Sequence, residues 1–326
     1  MSKRNMRHFF VINPKSFITA KDWRTFLLSV ERCFSVGKRA EYKTYISRFP
    51  RDAIAAVRRY IASVPPEETV RVYAVGGDGI LFDCLNGIVN YPNAELASVP
   101  YGNANDFVRA FGEGHADKFR DIKALSTAPT ILTDILQCGV NYAISNCSLG
   151  LEAAAVIRMN WLSRILSKMH NRRKLIPLLY KFGAVVHLLD RGRFIQEYEV
   201  TLDGENLSGR YVNINVGNIF GNGGSNSPSP YALPDDGIAN VIFLNATSAP
   251  KVVSIISDYC SGGYERHPKS FFAKEFKEMR VKSREPMYVV LDGESFFSRD
   301  FSMKILPKAV KIVAPPGLTY VRREER

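Results

Sequence analysis

The chain has 326 residues, of which 46% are hydrophobic and 23% charged, and a formal net charge of +12. That length predicts two domains, with apolar material for two cores and the composition of a soluble globular protein. The basic excess calls for an anionic partner: nucleic acid, an acidic membrane surface or a phosphorylated small molecule. No uninterrupted apolar stretch approaches ~20 residues, which excludes a spanning helix. The N-terminus MSKRNMRHFFVINPK lacks the apolar core of a signal peptide, so a cytoplasmic protein is expected. The five cysteines are odd in number and show no CxxC spacing, which predicts free thiols in a reducing compartment and argues against zinc.

In chain order, 8–12 reads as a short strand ending in the turn Asn13-Pro14-Lys15-Ser16, and 23–34 has helical spacing. Residues 41–46 alternate like a strand, and 50–64 is a helix with Ala53, Ile54, Val57 and Ile61 on one face. Residues 70–75 form the next strand, which runs into Gly76-Gly77-Asp78-Gly79 and a helix over 80–89. A short strand at 96–99 then ends at PYGNAND, residues 100–106. Such β-α-β-α-β-α-β order implies a parallel sheet flanked by helices. Ligands collect at the C-terminal ends of the strands of such a sheet, where the turns at 13–16, 76–79 and 102–106 all fall.

Near 128–134 the pattern changes. Strand-like runs follow at 142–146, 195–202, 211–216, 239–244, 287–291 and 301–305, separated by Asp-Gly and Gly-rich turns. They are interrupted by a helical apolar-basic segment at 152–189. The expected fold is an N-terminal α/β domain with a parallel sheet and flanking helices, residues 1–130. A mostly antiparallel β-sandwich C-terminal domain follows, residues 131–326, whose extreme C-terminus is free to return to the first.

The segment VRVYAVGGDGILFDC is the most informative. Three glycines in four positions let the backbone turn sharply and approach a ligand, because no Cβ intervenes. A strand, a glycine turn and a helix N-terminus aim N–H groups at one point, where phosphate is favoured. Asp78 could hold Mg²⁺ through water or orient a reacting hydroxyl. No GxxxxGK[ST] occurs. Alone, the turn reads equally well as a structural connection. Gly102 permits a second close approach, and Asn105 and Asp106 can cap the following helix.

Together, NPKS, GGDG, GNANDFVRAF and a late LDGE occur in the order seen in the diacylglycerol kinase catalytic-domain superfamily, which the chain resembles over nearly its whole length. That group includes bacterial lipid kinases and ceramide and sphingosine kinases. FGNGGSNSPSPYALPDDGIANV, 220–241, resembles the glycine-rich loop and strand entry of the bacterial members. The resemblance implies an ATP-dependent lipid kinase using Mg²⁺, with nucleotide and lipid hydroxyl meeting between the domains. It implies nucleotide contacts at Asn13, Pro14, Ser16 and Thr44, and a phosphate-facing turn at Gly76, Gly77, Asp78 and Gly79. Gly102, Asn105 and Asp106 match the later turn. Asp292 and Glu294 match the catalytic pair, one of them the general base, and Asp236 with the carbonyls of Leu233 and Ile238 matches a Mg²⁺ site. The chain departs from the pattern at Phe17 for glycine, Ile80 and Asn103 for threonine, and Leu233 for lysine.

A carboxylate on a rigid turn can take the proton of a lipid hydroxyl. Asp203-Gly204-Glu205 is a second copy of the same sequence, and residue chemistry alone does not separate the two. Residues 153–189 contain no Asp or Glu but seven Lys or Arg, from Arg158 to Lys181, among apolar residues. This suits either peripheral contact with an anionic membrane or a packed helix with a solvated basic face. The histidines show no metal spacing, and the charge comes with no nucleic-acid recognition motif. The rival readings are a kinase of a soluble hydroxyl, as in NAD kinases, and a non-catalytic nucleotide- or lipid-binding protein. Oligomeric state is open.

Overall fold

The computed structural model describes residues 6–17, 19–34, 42–165, 172–189, 194–221 and 226–322. The chain forms two compact units. One comprises Met1–Ile135, Pro234–Asp236 and Leu306–Arg326, the other Leu136–Leu233 and Gly237–Ile305.

In the first unit β1 (Met6–Ile12), α1 (Ala20–Phe34), β2 (Tyr42–Ile46), α2 (Asp52–Ala62), β3 (Thr69–Gly76), α3 (Asp78–Ile88) and β4 (Ala94–Pro100) alternate. The strands lie in the order β2-β1-β3-β4, every pair parallel. Helices cover both faces, so β3 is buried almost throughout and reads as an apolar run. α1 buries Phe26, Val30 and Phe34, one helical stripe, against Phe10 and Tyr73, whose rings stack at 4.2 Å. Each such phenylalanine contributes about 2 kcal/mol of burial. Ile12 is level with Val75 and Ile46, and Gly76 with Pro100, so the strands end along one edge. α4 (Asp106–Arg109), α5 (Ile122–Thr127) and β5 (Thr130–Cys138) follow. The end of the chain completes this unit. Ile312 pairs in parallel with Leu96, and buried Tyr320 packs on Phe107 and Phe111 while its hydroxyl bonds Thr133.

The second unit contains β6 (Asn141–Ala143), β7 (Asn146–Gly150), α6 (Leu151–Ile165), α7 (Arg172–Leu189), β8 (Gln196–Leu202), β9 (Glu205–Asn206), β10 (Gly209–Gly217), β11 (Ala239–Asn245), α8 (Ala249–Cys260), β12 (Phe271–Phe276), β13 (Glu278–Leu291) and the start of β14 (Glu294–Val313). Its pairings are antiparallel. β13 pairs with β8 through 279–282 and with β7 through 289–291, with an irregularity between Lys282 and Met287. A bend of this kind lets one long strand serve two sheet faces, as in a β-sandwich. α8 closes a core of Leu151, Val212, Ile242, Leu244, Val252 and Ile255.

Two details depart from the sequence reading. The strand expected at 142–146 breaks at Ile144 and Ser145, because their N–H groups are taken by the Asp292 carboxylate. The helical segment at 152–189 is two helices packed on each other, with Gly183 so close to Ala155 that a Cβ would lie 2.8 Å from its carbonyl oxygen. Residues 166–171 lie outside the described set.

Candidate active site

In the first unit three turns converge at the strand ends. The Asn13 N–H donates to the Val75 carbonyl, and its Oδ1 accepts from the Lys15 N–H in the 3₁₀ turn Pro14–Ser16. Gly76 sits at φ +156 with the Ser16 hydroxyl 3.0 Å and Asn13 Cβ 3.3 Å from where a Cβ would stand. Gly77 and Gly102 approach more closely still: a Cβ on Gly102 would lie 2.3 Å from Gly77 Cα. Only glycine fits there. The Gly102 N–H donates to the Gly76 carbonyl and to Asn105 Oδ1, while Asn105 Nδ2 returns a bond to the Gly102 carbonyl.

Asp78 ties these turns together. Its carboxylate accepts the N–H of Asn105 at 3.0 Å and of Asp106 at 2.9 Å. It stands in the first turn of α3, whose positive N-terminal end favours the charge. Asn105 is held left-handed at φ 52, a conformation asparagine tolerates, and Asp106 is buried. Gly79 is exposed in the same first turn. Asn13, Ser16, Gly76, Gly77, Asp78, Gly102, Asn105 and Asp106 are thus brought together. Thr44 is exposed within β2 opposite Phe10, two residues short of the strand ends.

Two of the departures, Ile80 and Phe17, have physical accounts. Ile80 is buried, and its Cγ2 fills the space beneath Gly76 that a smaller residue would leave. Phe17 packs on Tyr101, Trp23 and Phe26, with centroids 4.4, 5.0 and 5.7 Å away. The Arg120 guanidinium covers the Tyr101 ring at 5.0 Å and donates to the Pro100 carbonyl. Burial pushes the Tyr101 hydroxyl up, and Arg120 opposes this.

In the second unit Asp292 and Gly293 form the tip of the β13–β14 hairpin, both left-handed at φ 44 and 84. Asp203 and Gly204 form the same tip at φ 47 and 86. In each copy the aspartate accepts backbone N–H bonds: Asp203 from Lys277 and Glu278, Asp292 from Ile144, Ser145 and Asn146. The two differ in burial. Asp203 is exposed, whereas Asp292 is only 6% exposed. Burial pushes the neighbouring Cys138 and Cys147 thiols well up, and the Asp292 charge adds to it. Buried Asn218 holds the other side of the clamped segment. Its amide donates to the Ile144 carbonyl and its backbone N–H to that of Ser145. Sequence reasoning missed Asn218, which sits in a loop with no pattern beyond its neighbouring glycines. Glu294, two residues on, is half-buried at the head of β14.

Leu233 and Ile238 fall in the second unit and exposed Asp236 in the first. The adjacent Asp235 pairs with Arg322 at 2.6 and 2.8 Å. Among the described residues no three His, Cys, Asp or Glu side chains gather into a metal cage.

A parallel α/β unit with a glycine cradle at its strand ends, followed in the chain by an antiparallel unit with an LDGE turn, is the two-unit plan of the diacylglycerol kinase superfamily. Residues 7–138 match the diacylglycerol kinase catalytic domain, and residues 155–314 match the YegS C-terminal NAD kinase beta sandwich-like domain. The chain belongs to this lipid kinase superfamily. It is 24% identical over 272 residues to a "probable lipid kinase YegS-like" of Shewanella frigidimarina, covering 81% of this chain and 82% of that one. It is 25% identical over 272 residues to a "probable lipid kinase YegS" of Escherichia coli O9:H4, covering 81% and 84%. A crystal structure of a diacylglycerol kinase from Bacillus anthracis shares the fold, with a TM-score of 0.68 at 18% identity over 98% of this chain and 100% of that one.

Proposed function

We propose that the chain transfers the γ-phosphoryl group of ATP to a hydroxyl of diacylglycerol or a related lipid. The observation that carries this reading is the backbone approach of Gly102 to Gly77 beside the N-terminus of α3, locked by Asp78. A cradle that a single Cβ would fill suits phosphate oxygens bound by N–H groups. Asp78 is the carboxylate that would hold Mg²⁺ through water near the phosphates, and Asp236 with the carbonyls of Leu233 and Ile238 is a separate set of the hard oxygen donors that Mg²⁺ takes. When bound, the ion at Asp78 would neutralise charge on the phosphates.

The second unit supplies the base in this reading. Asp292 spends its carboxylate on three backbone N–H groups, so proton acceptance is assigned to Glu294 and a positioning role to Asp292. Glu294 takes the proton of the acceptor hydroxyl as that oxygen bonds to phosphorus and the bond to the leaving ADP oxygen breaks. The exchange calls for no covalent enzyme intermediate. Labelled ATP, Mg²⁺ and mixed lipid acceptors test it, with Asp78→Ala as the inactive comparison. No labelled lipid from the unaltered protein rejects it.

One observation favours a second reading, a binding protein without turnover. Ile80 fills its site with a methyl where the family pattern has a hydroxyl. Calorimetry with ATP and Mg²⁺ separates the two: heat of binding without labelled product supports the second.

A further inference from the structure

The outward stripe of α7 is apolar. Leu178, Phe182, Val185 and Leu189 recur at i, i+4, i+7 and i+11, which is one face of a helix, and each is 49–72% exposed. On the opposite side Gly183 and His187 are buried, and Leu188 is buried on the flank. The helix therefore lies with its apolar stripe toward solvent. α6, packed against it, adds Trp161 and Ile165, one turn apart and 61% and 57% exposed. These two helices hold six of the thirteen large apolar side chains exposed among the described residues. Scattered exposed apolar residues need no explanation, but a concentrated row marks an interaction surface.

Charge selects the occupant. The sequence from 153 to 189 carries seven Lys or Arg and no Asp or Glu. A second copy would bring this excess against itself. An anionic bilayer instead complements it and accepts the apolar side chains below the headgroups. No described helix is long and apolar enough to cross a membrane, so the pair would lie in the surface, with Trp161 at headgroup depth. We infer that the α6–α7 pair docks the protein on anionic lipid bilayers through this stripe.

The test uses the whole protein without ATP, so its failure is distinct from failure of the kinase reading. Vesicles of phosphatidylglycerol mixed with phosphatidylcholine are titrated against vesicles of phosphatidylcholine alone. We expect co-sedimentation with the anionic vesicles and a blue shift of tryptophan emission that is lost in Trp161→Phe, leaving Trp23. Phe182→Glu with Leu189→Glu should weaken partitioning at least about tenfold, since both the apolar and the charge complement are lost. These side chains are exposed, and an unchanged circular dichroism melt checks the fold. The inference is overturned by absent binding, by equal binding to phosphatidylcholine alone, or by equal binding of the double variant. It is also overturned if the double variant instead abolishes a dimer seen by sedimentation, or if the emission shift persists in Trp161→Phe.

Discussion

Gly102→Ala is the sharpest perturbation of the cradle. The new methyl would stand 2.3 Å from Gly77 Cα and 2.8 Å from Asn105 Oδ1. Carbon atoms in contact prefer about 3.5–4.0 Å, so the two turns must part by about 1.2 Å. The obstacle at Gly77 is backbone and cannot rotate away. Opening the turns pulls on the Gly102 N–H bonds to Gly76 and Asn105 and on the Asp78 bonds to Asn105 and Asp106. A displacement near 1 Å costs on the order of 100-fold in a positioned reaction, or about 2.7 kcal/mol of transition-state stabilisation. Overpacking costs about 1–3 kcal/mol, so the fold should survive. ATP is titrated at saturating lipid, and kcat/KM should fall about 100-fold with a modest drop in Tm. Gly114→Ala, whose Cβ would meet nothing within 4 Å but whose φ of +79 strains an alanine, is the control for backbone strain without the clash. Activity of Gly102→Ala within about threefold of the unaltered protein would refute the argument that phosphate binding uses this close approach.

Asp292→Asn should lower unfolding stability by about 3 kcal/mol in urea melts, because it sets an amide donor against buried backbone N–H groups. Glu294→Gln should leave the melt unchanged, and equal melts for both variants would contradict the division between anchor and base. Burial raises the Glu152 carboxyl, while Tyr259 and Asn215 hydrogen bonds pull it partly back. A folded-state value above the ordinary 4.5 means that the folded form binds the proton more tightly, so stability falls as pH rises from 4.5 through the raised value. Glu152→Gln should flatten that slope in Tm measured against pH. Asp52 moves the other way. Burial raises it, but the Arg48 N–H and the Ser47 and Tyr45 hydroxyls lower it more. Its contribution is present above pH 3.8 and lost below, as pH falls through the lowered value, and Asp52→Ala should remove about 2 kcal/mol at neutral pH.

The first unit was legible because its signals are local. Apolar runs ending in glycine turns fix strand ends, and parallel register then brings 13–16, 76–79 and 102–106 to one edge. What could not be read was the use made of Asp78, whose partners Asn105 and Asp106 are 27 and 28 residues away. The two Asp-Gly-Glu turns show the same limit. Both are hairpin tips with a left-handed aspartate, and they differ in burial and in the backbone each clamps, 146–148 residues away for Asp292. α8 is masked in the sequence although Val252, Ile255 and Tyr259 recur at helical spacing after a proline start, because strand-like runs dominate the chain around it. The apolar composition of α7 was visible, but which side its stripe faces depends on Gly183 meeting Ala155.

Phosphoryl transfer to a lipid hydroxyl is the role proposed for the LDGE turn and the glycine cradle. The direct measurement is transfer of the γ-phosphoryl of labelled ATP into lipid by the purified protein, run beside Glu294→Gln. Labelled lipid is expected from the unaltered protein, with a loss of about 100-fold or more in the variant at unchanged ATP affinity. Labelled lipid formed equally by both, or none formed from any diacylglycerol or related lipid, would contradict that role.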